Sequence, residues 1–512
     1  MNAGKNRRRG GRQRSSAEPV RQEQDWMPAK RALKPAEVLS ADEIENIHNR
    51  SLEVLRDIGI EFMLPEALDI LEQEGARVDR ETGIVKFDPE IVESWIKHAP
   101  PDFTIVPRNG ERSLHFGGDD IVYGSIASTP NVMDLDNGRR PGNKKDFQNL
   151  VKLSHMIGSC GLMSGYPVEP IDLPANHRHL DCAYDFLTLT DKAFRLYAIG
   201  ETRTKDTLEM IKIGLGLDQD QLKQSPRAFA VLNVNSPLRV DAPLLEGCME
   251  LTRNNQAVIV TPVAFSGAMS PITLSGSLIQ HNAECLAAIA FLQMVKPGAP
   301  VFYGSIFTNI DMKTGAPAFG TPDSLVGMIA TGQLARRYNI PQRVFNGSTS
   351  NAVDAQAAYE SMFSLWAAYL CGSHLVLHAH GMMEAGLTTS YEKVLLDAEM
   401  IQMMNAMSRP IDLSDADEAV EAIRSVGAGG HFLGTPHTMS RYKTAFHEPL
   451  LSDWRPYEFW QKDGSQDTAK RANTKWKKML NEYEKPAIDP AINEELHDFV
   501  KRRKHEIGTN EI

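Results

Sequence analysis

Two histidines one residue apart end an apolar run in "SHLVLHAHGMMEAG", residues 373–386. On a regular strand, His378 and His380 point to one face. Such a pair can ligate a metal, provided that other ligands converge on it. The ends of the other apolar runs carry Tyr123, Ser125, Tyr166, Glu201, Asn233, Asn235, Phe265, Ser305, Phe307, Asn346 and Ser348, and Glu384 follows the histidines. These are mostly rings, hydroxyls and amides with two carboxylates, a poor metal set. His177 and His179 in "NHRHL" lie about 200° apart on a helix and cannot share an ion. No G-x-S-x-G elbow is present to activate a serine. Phosphate would want a cationic clamp or a glycine-rich nest at the strand ends, and neither is seen there. A quaternary ammonium fits better, because aromatic faces attract a cation that has no N–H to offer. Histidines and amides can then hold a carboxylate attached to it. The bland alternatives are a core histidine bonded to backbone and aromatic residues that only fill layers.

Positioning these residues requires strands, and the chain supplies them in a rhythm. Apolar, β-branched runs fall at 120–127, 161–167, 194–200, 228–234, 257–265, 301–307, 343–349 and 374–380, and a helical pattern follows nearly every one. Eight strand–helix repeats predict an α/β chain forming a (β/α)8 barrel of the TIM type. In such barrels the site lies where strands end. The expected division is a disordered basic tail over 1–35, a helical and short β extension over 36–118, the barrel over 119–410, and a loop and helical cap over 411–512. Ser40 is a good helix cap in the extension, and "DFTIVPR" and "RSLHFGG" read as β segments.

Composition narrows the classes further. With 66 acidic against 55 basic residues, the net charge of −11 gives no pull toward nucleic acid or membrane. The exception is the first fourteen residues, which hold Lys5, Arg7, Arg8, Arg9, Arg12 and Arg14 and no apolar stretch after them. Five isolated cysteines predict reduced thiols and a cytoplasmic setting.

The stretches "VYGSIASTPNVMDLDNGRRPG", "GHFLGTPHTM" and "LVLHAHGMMEAGLTTSYEKVLLDAEM" resemble the trimethylamine methyltransferase superfamily, over about residues 36–505. The resemblance implies a barrel that passes a methyl group from a methylated amine to Co(I) of a corrinoid (cobalamin) carried by a partner protein. Archaeal trimethylamine enzymes of this family carry pyrrolysine, whereas this chain has only standard residues. The likeness is therefore to the branch without it, which acts on quaternary amines such as glycine betaine. A quaternary amine leaves as a neutral tertiary amine and needs no added activation. No catalytic side chain and no tightly bound metal are then expected, since cobalt is the nucleophile. Tyr123, Ser125, Tyr166, Asn233, Phe307, Asn346, His378, His380 and Glu384 are expected at the substrate. Gly430, His431, Gly434 and His437 are expected at the corrinoid. The partners implied are a corrinoid protein, a small quaternary amine and further copies of the chain, without nucleic acid or membrane. A metal-dependent barrel hydrolase and a non-catalytic betaine- or corrinoid-binding protein stay open as alternatives.

Overall fold

The computed structural model describes residues 29–508. The basic stretch 1–14 lies outside the described residues. The last part of the stretch expected as a tail over 1–35 is structured. Ala29–Lys30 pair antiparallel with Asp120–Ser125, and Arg31 is buried, with its guanidinium donating to the carbonyls of Gly118 and Ser373.

Eight parallel strands carry the architecture: β1 (Asp120–Ser125), β2 (Leu162–Met163), β3 (Ala193–Phe194), β4 (Phe229–Val234), β5 (Ala257–Ser266), β6 (Val301–Gly304), β7 (Gln342–Phe345) and β8 (Leu375–His380). They pair in the order β3–β2–β1–β8–β7–β6–β5–β4. Each is followed by a helix: α1 (Lys144–Met156), α2 (Arg178–Leu189), α3 (Glu201–Leu215), α4 (Ala242–Arg253), α5 (Leu274–Val295), α6 (Pro322–Tyr338), α7 (Ala355–Leu370) and α8 (Tyr391–Met407). The α/β class expected from the alternation holds. The end strands β3 and β4 meet through an isolated parallel bridge, Arg195–Phe229, with the Leu196 N–H donating to the Phe229 carbonyl. β2 and β3 are only two residues each, far shorter than the apolar runs around them.

The two faces of this sheet differ. One packs against the helices. The other presents Val122, Leu162, Ala193, Phe229, Val231, Ala257, Ile259, Phe302, Leu375 and Leu377, a cluster that takes in no helix residue. Its remaining members, Ile105, Leu114 and Phe116, come from the hairpin Phe103–Ile105 with Leu114–Phe116. The β segments expected in the extension thus cap this helix-free face at one end. Gly124 lies on the same face, where a Cβ would fall 2.3 Å from the Ser164 Oγ. No other residue fits that position.

Ser40 caps the helix Ala41–Asp57 through a reciprocal box with Glu43, which satisfies two otherwise orphaned donors. The most apolar helix, α5, is long enough to cross a membrane, but 83% of its apolar window is buried inside the molecule. Periodicity cannot separate such a helix from a membrane span; burial on all sides does.

Candidate functional site

Strand alternation decides which side chains share the helix-free face. On β1, Val122 and Gly124 belong to it, so Tyr123 points the other way. Tyr123 packs with Tyr369 of α7 and Met400 of α8, fully buried, with no partner for its hydroxyl. The expectation that it faces a ligand is therefore corrected: the residue is in register one step off. Phe307 fails for the same reason. Its ring lies against α6, where a Cβ on Gly327 would come within 2.2 Å of it. Ser125 is buried, donating to the Ile126 carbonyl and accepting from the Ser164 N–H at 3.0 Å each. Tyr166 packs on Phe147 and Phe186, on the helix side, with its ring centroid 4.1 Å from that of Tyr197. Asn346 donates to the Ala379 carbonyl at 3.1 Å and leaves its Oδ1 unpaired. Asn233 is half-buried and pairs in register with Thr261, on the face of Val231.

The two histidines part company. Val376 aligns with Tyr123, but His380 aligns with Ser125, so β8 advances four residues while β1 advances two. His378 has φ 55° inside this bulge, and alternation no longer applies across it. His380 is fully satisfied: its Nδ1 donates to the Gly124 carbonyl at 3.0 Å and its Nε2 accepts from Ser159 at 3.2 Å. Burial brings its imidazole down to about 4, so it stays neutral and structural. His378 keeps one nitrogen for a ligand. The Ala127 N–H donates to its Nδ1 at 3.3 Å, which fixes the proton on Nε2. Burial, then Arg343 and Arg195, hold this imidazole well below the usual histidine range. It is a neutral donor rather than a cation.

The bulge is anchored from behind. The Gly381 N–H donates to Asp397 at 2.7 Å, and Asp397 pairs with Lys393, both fully buried. Glu384 is tied to Arg139 at 2.9 Å, in the hairpin Asn131–Asp134 with Gly138–Pro141. That pairing, not a ligand, accounts for its carboxylate.

The sequence reading passed over Arg195 and Arg343. Arg343 aligns with Gly304 and Leu375, which puts it on the helix-free face, and it is 1% exposed. Arg195 sits at the β3–β4 bridge on the same face, its guanidinium 4.8 Å above the Tyr197 ring. Tyr197 is half-buried and its hydroxyl shares a 2.6 Å bond with Ser128. Arg195, Tyr197, Asn233, Phe265 and His378 are half-buried, in contrast to the closed apolar cluster of this face.

Gly430, His431, Gly434 and His437 all lie in the segment around the helices Ala416–Val426 and Pro436–Arg441. His431 is exposed, whereas His437 Nε2 lies 3.1 Å from Asp415 Oδ2 and is engaged there. Ile411, Leu413, Leu433 and Phe446 of this segment are 75–88% exposed. Among the described residues, no three His, Cys, Asp or Glu side chains are placed to hold a metal ion.

Residues 5–508 match the profile of the family described as trimethylamine methyltransferase (MTTB). The chain is 36% identical, over 92% of its length and 98% of that protein, to a glycine betaine methyltransferase of Desulfitobacterium hafniense (strain Y51). It is 30% identical, over 92% of its length and 94% of that protein, to trimethylamine methyltransferase MttB of D. hafniense (strain DSM 10664 / DCB-2). A hydroxylamine complex of MtmB overlays with a TM-score of 0.49 at 9% identity, covering 93% of this chain and 96% of that one.

Proposed function

The chain belongs to the trimethylamine methyltransferase family, and we propose that within it the chain takes a methyl group from a quaternary amine, glycine betaine first. The acceptor is the Co(I) of a corrinoid on a partner protein. The observation that carries this reading is the near full-length match, at 36% identity, to a protein named glycine betaine methyltransferase.

We read the eight strands as a closed (β/α)8 barrel over 119–410, flanked by 36–118 and 411–512. The Arg195–Phe229 bridge and the strand-only cluster support closure. The helix-free face is then the barrel interior, and the half-buried end of it is the mouth.

The corrinoid supplies a strong cobalt nucleophile for the methyl carbon. This chain's residues need only bind, orient and dry the amine. The apolar cluster closes the floor of the site against water. His378 Nε2–H offers a neutral donor, and the Phe265 ring offers a face to the ammonium. The C–N bond breaks with its electron pair passing to nitrogen, so a neutral amine departs and no proton is required. Exposed apolar side chains around Leu433 and Phe446 suit contact with a carrier protein or the corrin edge, with His431 as a free donor beside Gly430 and Gly434. Five buried, unpaired cysteines suit the reducing cytoplasm.

The test is mass balance. Purified protein, chemically reduced cobalamin and glycine betaine are mixed, and dimethylglycine is followed by NMR. Dimethylglycine appearing in step with cob(I)alamin loss supports the reading. Betaine binding without product favours a non-catalytic binder of the same fold.

A further inference from the structure

Among the described residues, Arg343 is the largest fully buried side chain. Its Nε and Nη1 have no hydrogen-bond partner. Burial, then the neighbouring cation Arg195, lower its guanidinium to about 9. Arg195 Nε is likewise buried and unpaired. Glu169, whose carboxylate feels Arg195, is engaged by Arg178 at 3.5 Å. The hydroxyls of Ser164 and Thr261, on the same face, are buried and unpaired as well.

A folded protein rarely leaves a guanidinium buried with its donors unmet. Two of them on one face, with two orphan hydroxyls and the His378 Nε2–H, make a set of donors without an acceptor. The missing acceptor is an anion. A planar guanidinium fork matches a carboxylate. Phosphate fits less well: the site has no glycine-rich nest, and its floor is apolar.

We infer that Arg343, with Arg195 and the His378 Nε2–H, seats the carboxylate of the substrate, and that the chain therefore selects quaternary amines bearing a carboxylate. This rests on the quaternary-amine reading above. The ammonium end is directed outward, toward the Phe265 ring. A plain amine such as trimethylamine, or the alcohol choline, leaves the guanidinium fork unmet.

The inference is tested by calorimetry and thermal melting of wild type, Arg343→Met and Arg343→Lys with glycine betaine and with choline. Wild type binds glycine betaine at least about 30-fold more tightly than choline, as two unmet buried donors imply. Arg343→Met loses about 100-fold or more for glycine betaine, changes little for choline, and melts no lower than wild type when unliganded. Arg343→Lys recovers part of the loss. Betaine affinity unchanged in Arg343→Met overturns the inference. So does a lower unliganded melting temperature with equal loss of both ligands, since that marks a structural arginine. If carboxylate-bearing ligands bind in an Arg343-dependent way but no amine consumes cob(I)alamin, the anion seat stands and the methyl-transfer reading falls. If betaine is demethylated equally well by Arg343→Met, the reaction stands and the seat falls.

Discussion

Among the described residues, His378 finds a hydrogen-bond partner at Nδ1 only. The Ala127 N–H occupies its Nδ1 at 3.3 Å, which leaves the ring proton on Nε2. Replacing it with Ala should raise the dissociation constant of glycine betaine about tenfold or more, the value of one desolvated hydrogen bond to an ionised group. The rate at saturation should fall far less. Because burial holds the ring neutral, with a pKa well below the usual range, betaine affinity should show no inflection from this residue between pH 6 and 8. A titration of affinity in that window checks it. Tyr123 makes the opposite case: its buried hydroxyl has no partner. Tyr123→Phe should leave affinity unchanged and stabilise the fold by on the order of 1 kcal/mol, read by denaturant melts. Residue types in the sequence suggested a cation–carboxylate ligand, yet Arg195 and Arg343 were passed over. They lie at the starts of their apolar runs, second in "FRLYAIG" and first in "RVFNGST", away from the strand ends. An arginine inside an otherwise apolar buried strand was the available signal.

The eight strands were legible as elements because parallel strands covered on both faces read as apolar runs. Their facing was not. Tyr123 and Phe307 were assigned to the wrong side because a run apolar on both faces gives no alternation to phase it. The bulge at His378 was also invisible, since it depends on Gly381 and the buried Asp397 acceptor 2.7 Å from its N–H. Gly381 has φ +99°, and a Cβ there would lie 2.6 Å from Val394 Cγ2. Gly381→Ala should destabilise the chain by more than about 1 kcal/mol and misplace His378, which betaine affinity would register. A second element-level device holds the loop after β4. Glu284 of α5 accepts from Ser236 Oγ at 2.7 Å, the Leu238 N–H at 2.8 Å and Gln280 at 3.0 Å. Burial pushes its carboxyl up from 4.5 to about 7. The folded state then binds this proton more tightly than the unfolded chain, so its contribution is full at low pH and is lost as pH rises through about 7. Glu284→Gln, which can donate to Ser236 and accept from the other two, should stabilise the fold by on the order of 1–3 kcal/mol at pH 8 and hardly at pH 5. Melts at the two pH values decide this.

At the scale of the molecule, the sheet supplies a site with an apolar floor, a cationic middle and an aromatic mouth. The segment past residue 410 presents apolar side chains to solvent, with Leu433 80% and Phe446 83% exposed. The glycine- and histidine-rich sequence pointed to this segment, but not to the Asp415 contact that engages His437. If the segment receives the carrier protein, Leu433→Ser with Phe446→Ser should slow methyl transfer to that protein about tenfold. Transfer to free cobalamin should be unchanged, because buried apolar contact is lost only in the complex. Equal slowing of both would assign the segment to the fold instead. The most direct measurement is the initial rate of Co(I) absorbance loss when the protein and reduced cobalamin meet glycine betaine, choline or trimethylamine at equal concentration. The account predicts rapid loss with glycine betaine and little with the other two. Loss with trimethylamine and none with glycine betaine would contradict it.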